Sequence, residues 1–254
     1  MIDYFGFYLL AIPVVLLVGM SKGGFGGGLG TLAVPVLSLL IDPRLAAAVL
    51  LPILCTMDLV SIWNFRGTWD KNNLKLMLPG AMLGIVAGAL TFQHMNADMI
   101  RLMVGILAIY FVGHHLWGAH IVKQVRAKDA SLAGGSFWGT ISGYVSSIAH
   151  AGGPPISIYL LPQKMPKTVF VGTTVLFFTI VNYVKLVPYA WFGQLNLDTL
   201  LTSLILLPLA PVGVKLGVYL HHRVSDKWFY WVCYGLLFVA GIKLLIEGGG
   251  NIFF

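Results

Sequence analysis

Apolar runs long enough to cross a bilayer recur from one end of this chain to the other, and no polar stretch between them is long enough to make a domain of its own. Only 10% of its 254 residues are charged, against about 25% in an ordinary soluble domain. A water-soluble fold is excluded, and a single membrane domain over residues 1–254 is the economical reading. Crossing a hydrocarbon core ~30 Å thick takes ~20 residues of helix. Six segments have that length directly: 45–65, 74–92, 99–117, 168–191, 199–219 and 228–246.

Two regions do not fit that rule. Residues 4–41 as one continuous helix would reach ~57 Å at 1.5 Å per residue, so the chain must break and turn back. The break is the run SKGGFGGGLG at 21–30, where glycine abolishes helix propensity. Residues 132–161 break in the same way at HAGGPP, 150–155. A shift of 125 positions lays Ser21 on Ser146, Gly27 and Gly28 on Gly152 and Gly153, and Ala48 on Thr173. With small insertions Leu78-Pro79 falls on Leu207-Pro208, and the GxxxG pair Gly84 and Gly88 on Gly213 and Gly217. The chain therefore reads as two repeats, about 1–117 and 133–254. After the second break only residues 153–161 precede the polar PQKMPK, and nine helical residues reach just ~14 Å. A re-entrant hairpin with its glycine-rich tip near mid-bilayer is expected in both halves, since irregular backbone at that depth must be buried in protein or line a cavity.

Charge decides the relation between the halves. If each broken region returns to its own side, ten basic residues (Arg66, Lys71, Lys75, Lys123, Arg126, Lys128, Lys164, Lys167, Arg223, Lys227) share one side against three (Arg44, Arg101, Lys243). If each crosses once, the same residues divide seven against six. Short cytoplasmic loops collect Lys and Arg, so the first arrangement is expected. The expected fold is an all-α polytopic membrane protein of two inverted repeats, each a broken or re-entrant helical hairpin followed by three transmembrane helices. Both termini are then external, and the chain is a multi-pass protein of the cell inner (cytoplasmic) membrane. The N-terminus has Asp3 and no basic stretch before its apolar segment, unlike a cleavable signal.

The net charge of +7 does not indicate nucleic acid, because the basic residues sit singly between apolar spans. Cys55 and Cys233 have neither CxxC nor metal spacing and read as small core residues. His114, His115, His120, His221 and His222 cluster at expected loop ends and read as interface polarity, so neither metal nor other cofactor is expected. Walker A, GxSxG and HExxH are absent, which removes the recognisable machinery of ATP-driven pumps and membrane hydrolases.

The remaining three of sixteen basic residues, Lys22, Lys185 and Lys215, fall within or beside spans. A charge at the bilayer centre costs ~3 kcal/mol on insertion scales, so such residues are paired, face a cavity or serve function. Lys22 lies in the glycine-rich break, where N–H groups of a following short helix, with its dipole, would make an anion site. Backbone donors at Gly23, Gly26, Gly27, Gly28, Gly152 and Gly153, with Ser21, Ser146, Ser147 and His150, complete the candidate substrate site; the serines and histidine also suit helix caps. Lys185 lies near its helix end and is expected to snorkel. Lys215 lies deeper, two residues before Gly217. Asp58 is the acid well inside a span, with Asn182 and Tyr183 at the corresponding place in the second half. It is read either as the counter-ion of an intramembrane lysine or as a proton carrier, protons then being the coupling ion. The ladder Gly80, Gly84, Gly88 reads as a helix-packing face.

The stretch GMSKGGFGGGLGTLAVPVL from Gly19, its degenerate copy SGYVSSIAHAGGPPISIYLLP from Ser142, and the helices that follow near Ala46 and Gly172 resemble the TauE/SafE (sulfite exporter) family of membrane permeases. The resemblance covers essentially the whole chain. It implies a bacterial cytoplasmic-membrane transporter of small sulfur-containing anions such as sulfite or organosulfonates. His150 and Ala151 depart from the glycine-isoleucine-glycine spacing more usual before Gly152 and Gly153. The expected function is secondary transport of such an anion. An anion channel, or a carrier of another small carboxylate or oxyanion, is the alternative, and a Ser147–His150 nucleophile pair in a membrane enzyme is the remote third reading.

Overall fold

The computed structural model describes residues 2, 5–24, 28–122, 129–220 and 226–253. Expectations on Gly26, Gly27, Lys123, Arg126, Lys128, His221, His222 and Arg223 fall outside these, as do those on the side chains of His114, His115, His120, Lys227 and Cys233. In chain order the helices are α1 (Phe5–Gly24), a 3-10 turn (Gly28–Leu32), α2 (Ala33–Leu37), α3 (Pro43–Asn64), α4 (Lys71–His94), α5 (Ala97–Val122) and α6 (Leu132–Ala149). They continue with α7 (Gly153–Leu160), a second 3-10 turn (Leu161–Gln163), α8 (Lys167–Trp191), α9 (Leu197–Leu206), α10 (Leu209–Leu220) and α11 (Asp226–Phe253).

Helix starts follow local capping chemistry. The carboxylate of Asp42 accepts from Arg44 N at 2.7 Å with Pro43 in the first turn, and that of Asp70 accepts from Asn72 N and Asn73 N. Ser131 and Asn196 cap α6 and α9 in the same way. Among the described residues four helices, Phe5–Gly24, Pro43–Asn64, Lys71–Phe92 and Lys167–Trp191, are long and apolar enough to cross a membrane. The pair α9 and α10 makes a fifth if taken together, but it is bent by 41°. The sequence reads 199–219 as one span; Pro208 supplies no N–H and its ring displaces the preceding turn, so the helix breaks there. Pro79, at the matched position, sits inside an unbroken α4. Leu83, Val86, Leu90, Val187, Leu204 and Ile205 face outward, an exposure that lipid accepts and water would penalise.

Both broken regions double back. Tyr159, near the end of α7, donates its hydroxyl to Ser131 O at 3.3 Å, and Gln163 exchanges side-chain hydrogen bonds with Asn73 at 2.8 and 3.1 Å. The chain has thus returned to the level at which α6 and α4 begin. In the first half Ile2 N bonds Thr202 Oγ1 at 3.2 Å while Ser203 Oγ donates to Val49 O at 2.7 Å, so α1 and α3 begin on the same side as α9. The long arms have 20 and 18 residues, ~30 and ~27 Å of helix. Each long arm is therefore about as long as a hydrocarbon core is thick. The first break is later than expected: helix continues through Ser21, Lys22 and Gly23 to Gly24.

Helix directions can be read from the glycines. A Cβ at Gly80, Gly84 or Gly88 of α4 would strike Ser136, Thr140 and Ser147 of α6 in the same order, so those helices run parallel. Gly19 of α1 meets Gly213 of α10, and Gly217 meets Met20, again parallel. Gly105 meets Gly241 and Leu245 while Gly248 meets Leu102 and Asp98, so α5 and α11 run antiparallel. Between α3 and α8, Asn182 bonds Asp58 at 2.6 Å and Thr173 bonds Asp70 N at 2.8 Å, also antiparallel. The packing of α4 on α6 is therefore repeated by α10 on α1, with the halves exchanged.

Candidate functional site

Where the two hairpins face each other they bring together groups far apart in sequence. Lys22, in the last turn of α1, is 6% exposed, and its ammonium bonds Asp58 Oδ1 and approaches Leu54 O at 3.5 Å. The other carboxylate oxygen of Asp58 accepts from Asn182 Nδ2 at 2.6 Å. Asp58 is thus fixed by a cation from its own half and an amide from the other. Lys22 stands at the carbonyl end of a helix rather than ahead of one, which corrects the expected placement; the α1 dipole favours a cation there.

The second cluster is built around Lys185, which is 0% exposed. Its Nζ donates to Ser146 O at 3.0 Å and Ser146 Oγ at 2.9 Å, and meets His150 Nδ1 at 2.8 Å. Snorkelling is therefore corrected: α8 runs on to Trp191, and its packing against α3 and α6 turns Lys185 inward. His150 Nε2 lies 2.9 Å from Ala47 O. An ammonium at Nδ1 and a carbonyl at Nε2 require the neutral tautomer with its proton on Nε2. His150 terminates α6 in the left-handed conformation, φ 51°, uncommon for a side chain with a Cβ. Its ring is held further by stacking on Tyr189, whose hydroxyl donates to Ser147 O at 2.7 Å. A left-handed residue directly after the last turn is a common way for a helix to end.

Between the clusters lies a cavity of about 20 Å³ lined by Lys22, Gly30, Leu54, Ser146, His150, Gly153, Phe178 and Asn182. That is room for about one water molecule and for no larger solute. Sequence reasoning missed Gly30, Leu54 and Phe178; nothing in an apolar run distinguishes the residue that faces a cavity from its neighbours.

Other candidates are placed elsewhere. Tyr183 is 39% exposed on the outer face of α8, and Lys215 is exposed on α10. A Cβ on Gly23 would fall 2.1 Å from Val214 O, and one on Gly152 would meet Ser142 and Phe178, so both glycines permit close packing. Ser147 donates to Gly143 O at 3.0 Å within its own helix. Ser21 is fully buried, and Gly28 opens the first 3-10 turn. At the start of α7 the N–H groups are thinned by Pro154 and Pro155, leaving Gly153 and Ile156 as first-turn donors.

The Lys22–Asp58 pair has a measurable consequence. Asp58→Leu strands a buried ammonium and is expected to cost about 3–5 kcal/mol, whereas combining it with Lys22→Met is expected to restore most of the loss. Thermal melts of the purified single and double variants check this; equal loss in both would mean that the pair is not coupled.

The family model described as "Sulfite exporter TauE/SafE" matches residues 11–244. Among curated proteins, one named "Probable sulfite/organosulfonate exporter TauE", from Cupriavidus necator, is 24% identical over 66% of this chain. That match spans 65% of the relative's own length, just under two thirds. A protein of Methanocaldococcus jannaschii named as a probable membrane transporter protein is 23% identical over 94% of this chain and 97% of its own. No solved structure matches the chain.

Proposed function

We propose, from the premise that the chain belongs to the TauE/SafE family of sulfite exporters, that it is a secondary transporter of a small sulfur oxyanion, sulfite or an organosulfonate, across the cytoplasmic membrane. The observation that carries this reading is Lys185. Its ammonium is fully buried, and its partners Ser146 and His150 are neutral acceptors rather than carboxylates. Burying a charge without a counter-charge is costly, and an anion entering beside Ser146 and His150 supplies one. Hydroxyl, imidazole and amide groups around the cavity suit the oxygens of a sulfonyl group. The name of the Cupriavidus relative agrees with that chemistry.

The proposed mechanism rests on reading the chain as two inverted halves. The like orientation of the matched α4–α6 and α1–α10 pairs and the antiparallel α5–α11 and α3–α8 pairs support this reading, in which the doubled-back hairpins are re-entrant. In such carriers irregular backbone meets at the substrate site and one half rocks against the other. A cavity with room for about one water favours this over a channel, which needs a wetted path.

The test is a thermal-shift screen of purified protein against sulfite, alkylsulfonates, sulfate, thiosulfate and carboxylates, followed by counterflow in proteoliposomes with the solute that stabilises most. Saturable counterflow is expected. Stabilisation by carboxylates alone would move the substrate class, and flux without counterflow would make the protein a channel.

Topology is tested separately. Lys71→Cys and Lys164→Cys, on the face joined by the Asn73–Gln163 bonds, are expected to resist an impermeant thiol reagent added outside, while Asn96→Cys and Asn196→Cys react. Outside labelling of Lys71→Cys alone, without Lys164→Cys, would break the inverted arrangement.

A further inference from the structure

Resting on the oxyanion reading above, the charges around the cavity define what valence it takes. Among the described residues, the buried set holds two ammoniums, Lys22 and Lys185, and one carboxylate, Asp58. His150 adds no charge, because its two nitrogens are committed to an ammonium and a carbonyl. The other ionisable groups near Asp58 are Cys55, three residues earlier on α3, and Tyr183, whose phenol lies on the outer face of α8, both neutral in their ordinary state. From α1 comes Lys22; α10 carries Lys215 on its exposed face. With both lysines protonated and Asp58 ionised, the site carries one net positive charge when empty.

From this we infer that the site is matched to a single negative charge: a monovalent anion binds as it is, and a divalent one enters only with a proton, which Asp58 receives. In a low-dielectric site each uncompensated charge is expensive. A sulfonate brings the sum to zero, whereas a sulfate-like dianion leaves one charge unmatched. Geometry supplies the remedy. Lys22 and Asn182, the two groups that hold Asp58, also line the cavity, so ligand and carboxylate compete for the same donors. A proton on Asp58 releases Lys22 to the ligand while the carboxyl stays in place beside Asn182. Sulfite, which changes valence near neutral pH, would cross either alone as its monoanion or with one more proton on Asp58 as its dianion.

Methanesulfonate and sulfate separate these cases, being of similar size and differing in charge. Isothermal titration of the purified full chain near neutral pH, in buffers of different ionisation enthalpy, counts the protons taken up. Methanesulfonate is expected to bind with none and sulfate with one, or sulfate not to bind at all where methanesulfonate does. In Asp58→Asn the empty site carries two charges, and preference for sulfate over methanesulfonate is expected to rise by about tenfold or more with no proton uptake. Sulfate binding to wild type without a proton would overturn the inference, whether or not the variant folds. So would an unchanged preference in a folded Asp58→Asn. Binding of neither probe to folded wild type is a different failure, since it removes the oxyanion reading itself.

Discussion

Lys185→Met is expected to lose anion binding by about a hundredfold while the protein still folds. Methionine keeps the length and apolar stem of lysine but removes the charge that an incoming anion would neutralise. A charge-assisted contact contributes about 1.5–3 kcal/mol, and Lys185 is the buried cation whose partners include no carboxylate. Folding is cushioned by opposing effects. Ser146 and His150 lose a donor, about 1–3 kcal/mol, but the cost of burying a lone ammonium disappears as well. Thermal melts without ligand report the first balance, and the shift produced by methanesulfonate or sulfite reports binding. Lys215→Met, on the exposed face of α10, is the control and should bind as wild type does. If Lys185→Met binds as tightly as that control, the positive charge that draws the anion is not at Lys185.

Gly84→Ala is expected to abolish recovery of folded protein, a large effect for one methyl group. The added Cβ would lie 2.1 Å from Thr140 O and 2.7 Å from Tyr144 N, which are backbone atoms with no rotamer to adopt. The only relief is to part α4 from α6, and that interface is a reciprocal glycine ladder. Gly139 and Gly143 of α6 press on Met77 O and Ala81 O as closely as Gly80 and Gly84 of α4 press on Ser136 O and Thr140 O. In lipid, where helices gain nothing from hiding apolar surface, such close approach supplies the attraction. Gly235→Ala, on α11, would place its new methyl with nothing within 4 Å, and should be neutral or stabilise by about 0.5–1 kcal/mol. Gel filtration in detergent separates the outcomes: a monodisperse Gly84→Ala at wild-type yield would show that the interface yields more readily than its geometry allows.

Hydropathy and glycine spacing were enough to mark the apolar helices, to find the two breaks and to read Gly80, Gly84 and Gly88 as a packing face, because those features are written in short stretches of chain. The eight-residue α7 was legible for the same reason: PQKMPK stops an apolar run too short to cross. What faces the glycines was not legible, since a GxxxG run states that a helix will approach closely and not which one. The bend at Pro208 and the straight helix through Pro79 show the same limit, as identical local chemistry is resolved differently by different neighbours.

The charges divide along that line. By itself the sequence determined that three lysines and one aspartate would lie within or beside membrane segments, because the cost of burying a charge makes each conspicuous in an apolar run. Only tertiary structure decided their roles. Lys22, in a glycine-rich stretch suited to an anion, is neutralised by Asp58 from 36 residues away. Lys185, near enough to its helix end to reach water, is turned inward onto Ser146 and His150, which lie 39 and 35 residues before it. Lys215, deeper by sequence than Lys185, points outward. A side chain's depth along a helix follows from counting residues. Which way it faces, and whether a counter-charge waits there, depends on how other helices pack against it, and in this chain those helices come from both halves, at separations no local pattern spans.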